Sequence, residues 1–366
     1  MTTVGADEGR GGDSGLLAGV RVLDLGIWRP APYATQLLAE LGADVIKVEP
    51  PGGDPMRAYP ELFASLGVNK RSIVLDLKQD DDRRRALELA AAADVVVEGF
   101  RPGVAARLGV GYDDVRAVNP AVVYCSVSGL GQDGPLALVP GHDLNYQAWA
   151  GTLAPDGGPP VVPAVPVADL AGGMAAAFAV CAALVRRLRT GEGEHVDVAM
   201  ADVLATWTGT AEPRAEGADP TARHVPGYGV FETAGGGHVT LGVLTEDHFW
   251  SRLCDALGLT GVGDLPFGER MARRSELQGR LADVIRSWDR DDLVAALLAA
   301  DVPAAPVLDR AQMLAQPHFR DRAVVVRDPW AEVATGHPVR FAHHPAAHTS
   351  PAPTVDQHRG TGFRPR

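Results

Sequence analysis

Val20-Arg21-Val22-Leu23-Asp24-Leu25, then Gly26, then Ala31 to Gly42 with apolar residues at helical spacing, then Val45-Ile46-Lys47-Val48-Glu49: this stretch decides the fold. An apolar run closed by glycine, a segment of period 3.6 and a second apolar run predict strand, helix and strand within about thirty residues, a βαβ unit with parallel strands. The pattern recurs. Ser72–Leu77 is expected as a strand, Asp80–Ala93 as a helix and Val95–Glu98 as a strand, and helix Tyr112–Val118 with strand Val122–Val127 makes a third round. The first half is therefore expected to be a doubly wound α/β domain, in which ligands lie beyond the carboxyl ends of the strands.

The segments at those ends are Gly26–Pro32, Pro50–Arg57, Gly99–Arg107 and Ser128–Asp133. None opens a helix with G-x-G-x-x-G, and G-x-x-x-x-G-K-[ST] is absent from the chain, which argues against nicotinamide and Walker-type nucleotides. Arg29, Arg57, Arg71, Arg101 and Arg107, with Lys70 and Lys78, lie in or near these loops. In an acidic chain, such clustering points to a ligand bearing phosphate.

The 366 residues are 46% hydrophobic and 22% charged, ordinary globular values, and the net charge of −12 excludes extended nucleic-acid binding as the main task. Three cysteines, distant from one another and in no C-x-x-C pair, fit a reducing cytoplasm better than a disulfide framework. The apolar run Leu170–Val185 is short and diluted by Gly and Ala, and Met1–Gly15 is polar, so neither membrane span nor signal peptide is expected. No His-x-x-x-His or cysteine cluster suggests a metal, no G-x-S-x-G suggests a serine hydrolase, and His343-His344 is expected to be solvated.

In the second half, His195–Val198 reads as a strand and Ala199–Gly209 as a helix. Tyr228–Thr233 and His238–Val243 then read as a β-hairpin, and helices follow at about 246–257, 273–287 and 289–300. The expected organisation is a disordered segment 1–16, a large domain 17–211, a linker 212–224, a small α+β domain 225–315, and a C-terminal segment 316–366 that is loosely ordered from about Pro345.

Gly141-His142-Asp143-Leu144-Asn145-Tyr146-Gln147 carries the chemistry, together with Val167-Ala168-Asp169-Leu170. Asp143 is expected to open a short helix, and Asp169 to cap a long one running to about Arg189 and stopping at Gly191. One imidazole and two carboxyls would then stand at helix mouths, where backbone N–H groups favour developing oxyanions, although plain capping is the commoner use of such aspartates.

The chain resembles the class III coenzyme A transferases and their relative α-methylacyl-CoA racemase over about residues 17–315. The resemblance rests on Leu17–Leu25, Leu41–Asp54, Asn69–Lys78, Glu98–Gly103, Ser128–Pro135 and Arg189–Glu194. It implies a Rossmann-like large domain to which the C-terminal segment returns, a small domain, an interlocked homodimer, and an acyl-CoA substrate with no permanently bound cofactor. By position it implies that Arg29, Leu75, Asp76, Leu77, Lys78, Gly99, Phe100, Arg101, Arg107 and the loop from Gly141 to Asn145 hold coenzyme A. Pro50 stands where some members have an arginine for the nucleotide phosphates.

Transferases resemble this chain at Asp169, which in them attacks the thioester. Racemases share that aspartate and add Gly-His-Asp-x-Asn-Tyr, present as Gly141–Tyr146, and a glutamate matched by Glu246. The resemblance is nearer the racemase branch and implies inversion at C2 of a 2-methyl-branched acyl-CoA. His142, held by Glu246, would serve one face, Asp169 the other, and Asp143 would orient the pair. The alternative is CoA transfer between carboxylic acids through an Asp169 anhydride. A further alternative is a CoA-binding protein without catalysis.

Overall fold

A computed structural model describes residues 15–153, 160–209 and 225–366. The expected linker 212–224 and most of the expected disordered segment 1–16 lie outside the described residues. Two compact units are present, one of residues 15–153, 160–209 and 317–366, the other of 225–316.

The first unit begins with β1 (Arg21–Asp24), α1 (Pro30–Glu40), β2 (Asp44–Glu49), α2 (Pro60–Gly67), β3 (Lys70–Val74), α3 (Asp80–Ala92) and β4 (Val95–Glu98). It continues through α4 (Val104–Arg107), α5 (Tyr112–Val118), β5 (Val123–Ser128), α6 (Asp143–Trp149), α7 (Val167–Thr190), β6 (Glu194–Ala199) and α8 (Met200–Thr208). The second unit holds β7 (Tyr228–Glu232), β8 (His238–Gly242), α9 (Asp247–Leu257), α10 (Phe267–Ala272), α11 (Arg274–Ile285), α12 (Arg290–Ala299), β9 (Ala304–Pro306) and α13 (Arg310–Ala315). The chain then gives the first unit α14 (Pro317–Asp321) and the strands β10 (Val325–Asp328) and β11 (Ala331–Thr335).

Six parallel strands form one sheet in the order β3-β2-β1-β4-β5-β6. Val22, Leu23, Val45, Ile46, Val95, Val96, Val97, Val123 and Tyr124 are buried, because helices cover both faces and the strands are apolar on both. On one face Ala31, Ala34, Leu37 and Leu38 of α1 pack with Ala176, Ala177, Val180 and Leu184 of α7. Each buried leucine there stabilises the unit by about 1.5–3 kcal/mol. The sheet order reverses between β1 and β4, and the crevice beyond their carboxyl ends is where such a sheet takes its ligand.

Four expectations need correction. The third strand is Lys70–Val74, not Ser72–Leu77: it pairs with β2 from Val45↔Lys70 to Glu49↔Val74, and Asp76 then closes a turn by accepting the Gln79 N–H. Asp143 does not cap its helix. His142 takes the capping position, its carbonyl accepting the Asn145 N–H while Asn145 Oδ1 accepts the His142 N–H at 3.0 Å. Asp169 does not cap α7 either, because the Pro166 carbonyl accepts the Leu170 N–H and starts the helix earlier, which puts Asp169 inside its first turn. The other end of α7 is as expected, with Gly191 left-handed at φ 75°. The chain from Pro345 onward has no regular structure but is not loose. His348 bridges Glu40 and Asp328 at 3.0 and 2.8 Å, Asn69 Oδ1 accepts the Thr349 N–H at 2.7 Å, and the Val74 N–H of edge strand β3 donates to Asp356 at 2.9 Å.

In the second unit β7, β8 and β9 form an antiparallel sheet. Its core holds Trp250, Leu253, Leu277, Leu281, Ile285, Leu293 and Leu297. Trp250 is fully buried and satisfies its indole N–H on the Val262 carbonyl at 2.7 Å.

Candidate active site

The loop after β1 is held from below by buried charge. Lys47 donates to the Gly26 carbonyl at 2.7 Å and pairs with Asp54 at 2.7 Å, and Asp24 accepts the Gly26 N–H at 2.9 Å. Lys70 donates to the Pro32 carbonyl and to Thr35, both at 2.7 Å, and pairs with Asp24 at 3.0 Å. Although burial opposes it, Lys70 and Lys47 keep the Asp24 carboxyl below its ordinary range. Burial pushes Lys70 down to about 8 despite Asp24 beside it. Between these anchors Trp28 adopts φ 64°, a conformation that carries strain for a bulky side chain, and its N–H lies 3.4 Å from Asp54 Oδ1. Arg29 follows, capping α1.

The loop after β4 is set by Glu98, which is buried and accepts the Phe100 N–H at 2.7 Å. Burial raises its carboxyl to about 7. After β5, Gly129 lets the Tyr146 ring lie against the backbone, since a Cβ there would sit 2.1 Å from the ring. Tyr146 donates its hydroxyl to the Gly141 carbonyl, which fixes the approach to α6.

Helices α6 and α7 meet at their N-termini through Asp143. One of its oxygens accepts the Asp169 N–H at 3.1 Å, the other the Gln147 amide at 2.6 Å. Asp143 therefore staples the two helix ends. The backbone donors expected for an oxyanion are partly engaged, because the Asn145, Asp169 and Leu170 N–H groups already have partners. The Asp169 carboxyl stays raised to about 6, first by burial and then by Asp143, with Arg29 pulling it down.

Two cavities open here. A cleft of ≈ 450 Å³ is lined by Trp28, Arg29, Gly99, Phe100, Arg101, Gly141, His142, Tyr146 and Asp169. A smaller one of ≈ 160 Å³ is lined by Leu25, Val48, Pro50, Leu75, Asp76, Leu77, Lys78 and Phe100. Ile27 and Phe100 border both. The structure thus brings His142, Asp169, Arg29, Gly99, Phe100, Arg101 and Gly141 to one cleft and Leu75–Lys78 to its neighbour. Pro50, noted for its missing arginine, lines the smaller cavity, where Lys78 is the basic side chain.

Arg107 and Asn145 line neither cavity: Arg107 is exposed on α4, and Asn145 is spent on the His142 N–H. Glu246 belongs to the second unit, where it precedes α9 and accepts the Leu244 N–H at 3.2 Å. That loop is clamped by fully buried Arg270, which donates to the Leu244 and Thr245 carbonyls at 2.9 and 3.2 Å and pairs with Asp247 at 2.7 Å. Reading the sequence for function missed Trp28, Asp24, Lys47, Asp54 and Glu98, and it took Lys70 for a ligand-facing cation where the fold buries it against Asp24, Thr35 and the Pro32 carbonyl. The available signal was charge inside apolar strands, as in Val45-Ile46-Lys47-Val48-Glu49, since a buried charge needs a partner.

Comparison with known proteins identifies the family. The model of CoA-transferase family III matches residues 17–359. The chain is 35% identical to succinyl-CoA:mesaconate CoA-transferase of Haloarcula hispanica, covering 94% of this chain and 95% of that one. It is 34% identical to acetyl-CoA:oxalate CoA-transferase of Acetobacter aceti, covering 94% of each. It is 33% identical to succinate–glutarate CoA-transferase of Agrobacterium fabrum, again covering 94% of each. Among solved structures it superposes on a CAIB/BAIF family protein from Brucella suis with TM-score 0.83 and 29% identity, over 94% of this chain and 98% of that one. The three relatives from Haloarcula, Acetobacter and Agrobacterium are named for CoA transfer, which shifts the weight away from the racemase branch. The chain belongs to CoA-transferase family III.

Proposed function

We propose that the protein is a CoA transferase that moves coenzyme A from an acyl-CoA to a free carboxylic acid, with Asp169 as nucleophile. The observation that carries this is the half-buried Asp169 carboxyl lining the cleft at the sheet's switch point. As a carboxylate it attacks the thioester carbonyl; the C–S bond breaks and CoA leaves as thiolate, giving a mixed anhydride. The thiolate then attacks the Asp169 carbonyl, releasing the donor acid and leaving CoA on Asp169 as a thioester. The acceptor carboxylate attacks that thioester, expels the thiolate and forms a second anhydride. Attack of the thiolate on the acceptor's carbonyl gives the new acyl-CoA and restores Asp169. Because burial and Asp143 hold the carboxyl up to about 6, its nucleophilic form is complete only above that pH.

In this reading coenzyme A takes the two adjoining cavities, with its nucleotide toward Leu75–Lys78 and its sulfur toward Asp169, a path supported by Phe100 lining both. The relatives' names point to short dicarboxylic acids as the substrate class. A homodimer is supported by α7: Met174, Phe178, Val185 and Leu188 expose 46%, 76%, 56% and 83% of their surface along one stripe of this helix. The reducing cytoplasm stays our proposed compartment, since the three cysteines are unpaired.

A second reading keeps the racemase chemistry, because His142 lines the same cleft as Asp169. In it His142 and Asp169 exchange the C2 proton of a 2-methylacyl-CoA, with Glu246 as the residue that the resemblance pairs with His142. Incubation in deuterated water separates the two. A new thioester formed only when an acid is added, with no deuterium at C2, supports transfer. Deuterium entering a 2-methylacyl-CoA without any acid supports the second reading and sinks the first.

A further inference from the structure

We propose that Arg29 receives the carboxylate of the incoming acid and holds it against Asp169, with Trp28 as the adjoining wall of this acceptor subsite. The inference rests on the transferase reading. Arg29 lines the Asp169 cleft, and among the described residues its guanidinium makes no hydrogen bond or ion pair. It nevertheless acts on the Asp169 carboxyl electrostatically. A cation that lines the same cleft as a carboxylate without pairing with it is available there to a second anion.

The placement is built, not incidental. Three anchors fix the backbone on either side of Arg29: Lys47 on the Gly26 carbonyl, Asp54 at the Trp28 N–H, and Lys70 on the Pro32 carbonyl. The strained φ of Trp28 persists because these buried partners impose it, and its side chain is 42% exposed in the cleft. On the other side Gly173, one turn beyond Asp169 on α7, lets the start of α1 approach. A Cβ at Gly173 would sit 2.7 Å from the Pro30 carbonyl and 2.9 Å from the Tyr33 ring. Arg29 and Asp169 are thus carried toward each other by two helices in direct contact.

The resemblance counted Arg29 among the coenzyme A contacts, but with CoA placed as proposed it stands at the wrong end for a CoA phosphate. A long pantetheine arm separates the pyrophosphate from sulfur, and the sulfur must reach Asp169. The chemistry gives the guanidinium a different task at each stage. In the resting enzyme it shares the cleft with the Asp169 carboxylate. Once Asp169 carries CoA as a neutral thioester, that charge is gone and the cation is left without a counter-ion in a protein of net charge −12. An entering carboxylate restores the pairing, and it does so beside the carbonyl it must attack. The C–S bond then breaks, CoA leaves as thiolate, and the acceptor is joined to Asp169 as an anhydride.

The test uses the full-length enzyme, succinyl-CoA as donor, and oxalate, mesaconate and glutarate as acceptors. Arg29→Gln is expected to raise the acceptor KM about 30-fold, while the donor KM stays within about threefold and Arg29→Lys recovers much of the loss. Borohydride added after donor alone is expected to reduce the Asp169–CoA thioester to an alcohol, leaving homoserine at position 169 and free CoA thiol, in Arg29→Gln as in wild type, which also shows that the variant is folded. A rise in donor KM instead of acceptor KM would assign Arg29 to coenzyme A and overturn the inference. A fall in kcat with both KM values unchanged would overturn it too, leaving Arg29 as a tuner of Asp169. If wild type itself neither shows the reduced side chain at Asp169 nor transfers CoA to any of the three acids, the transferase reading fails.

Discussion

Replacing Asp169 by asparagine removes a carboxyl that the fold makes expensive to ionise, so the variant is expected to be more stable than wild type at alkaline pH. In the folded chain burial, then Asp143, push this group from its ordinary 3.8 to about 6, against the pull of Arg29. The sign follows from linkage. The folded state holds the proton more tightly than the unfolded one, so wild type loses stability as pH rises from about 4 to about 6 and is level above that. At roughly 1.4 kcal/mol per pH unit the full penalty is about 3 kcal/mol, and partial solvent access reduces it to about 2. Asparagine is neutral throughout and escapes this penalty. Equilibrium urea denaturation of both proteins at pH 4.5, 5.5, 6.5 and 8 should show the gap in favour of Asp169→Asn widening by about 1.3 kcal/mol across the series, the rest of the penalty being already in place at pH 4.5. A gap independent of pH would refute the claim that Asp169 is desolvated, and with it the argument for a nucleophile held back from water. The same variant should lose CoA transfer by at least about 1,000-fold while binding acyl-CoA nearly as before.

Gly173→Ala should destabilise the first unit by about 1–3 kcal/mol, because its Cβ meets the Pro30 backbone carbonyl, which cannot swing aside. Gly172→Ala should cost less, since its Cβ meets the flexible Met200 side chain; thermal melts of the two variants check the order. Arg101→Ala should weaken CoA binding by about 1–3 kcal/mol by calorimetry, whereas Arg107→Ala, outside both cavities, should leave it unchanged; the reverse order would show that the cavities are misassigned. Hydrogen bonds to Glu40 and Asp328 raise His348 above its ordinary value of 6.5. Its contribution is therefore full below about pH 6.5 and lost as pH climbs through the higher folded value, so hydrogen exchange of the chain around His348 should accelerate over that window in wild type and not in His348→Gln.

The sheet was legible because its strands are buried on both faces. Val20–Leu25, Val45–Glu49 and Val95–Val97 read as unbroken apolar runs, apart from the few charges that proved to matter. Strand order was less legible, since β6 returns beside β5 only after the long α7, which no local pattern announces. The short helices α2 and α10 were missed because each buries too little to show a period: α2 turns inward Phe63, Leu66 and Gly67, and α10 only Arg270. Helix starts were misjudged where a proline or histidine carbonyl, not an aspartate side chain, begins the ladder. Composition misled at the C-terminus. Its order comes from hydrogen bonds to the exposed edge of β3, such as the His358 N–H on the Ser72 carbonyl at 2.9 Å, which a Pro- and His-rich sequence does not advertise. At the site, His142 and Asp169 could be named because they sit in motifs. The Lys47, Lys70 and Asp54 support of the Trp28–Arg29 loop depends on strands that meet only in the folded chain.

The most direct test of Asp169 as the acyl-accepting nucleophile is the fate of the acceptor's oxygen. Wild-type enzyme is turned over with succinyl-CoA and an acceptor acid carrying oxygen-18 in its carboxylate, then digested, and the peptide containing Asp169 is weighed by mass spectrometry. Transfer through an Asp169 thioester and anhydride leaves one acceptor oxygen on the aspartate in each turnover, so the peptide should gain one oxygen-18 at that side chain in the first turnover and at most two after many. An unlabelled Asp169 after many turnovers, with new acyl-CoA formed, would contradict the account.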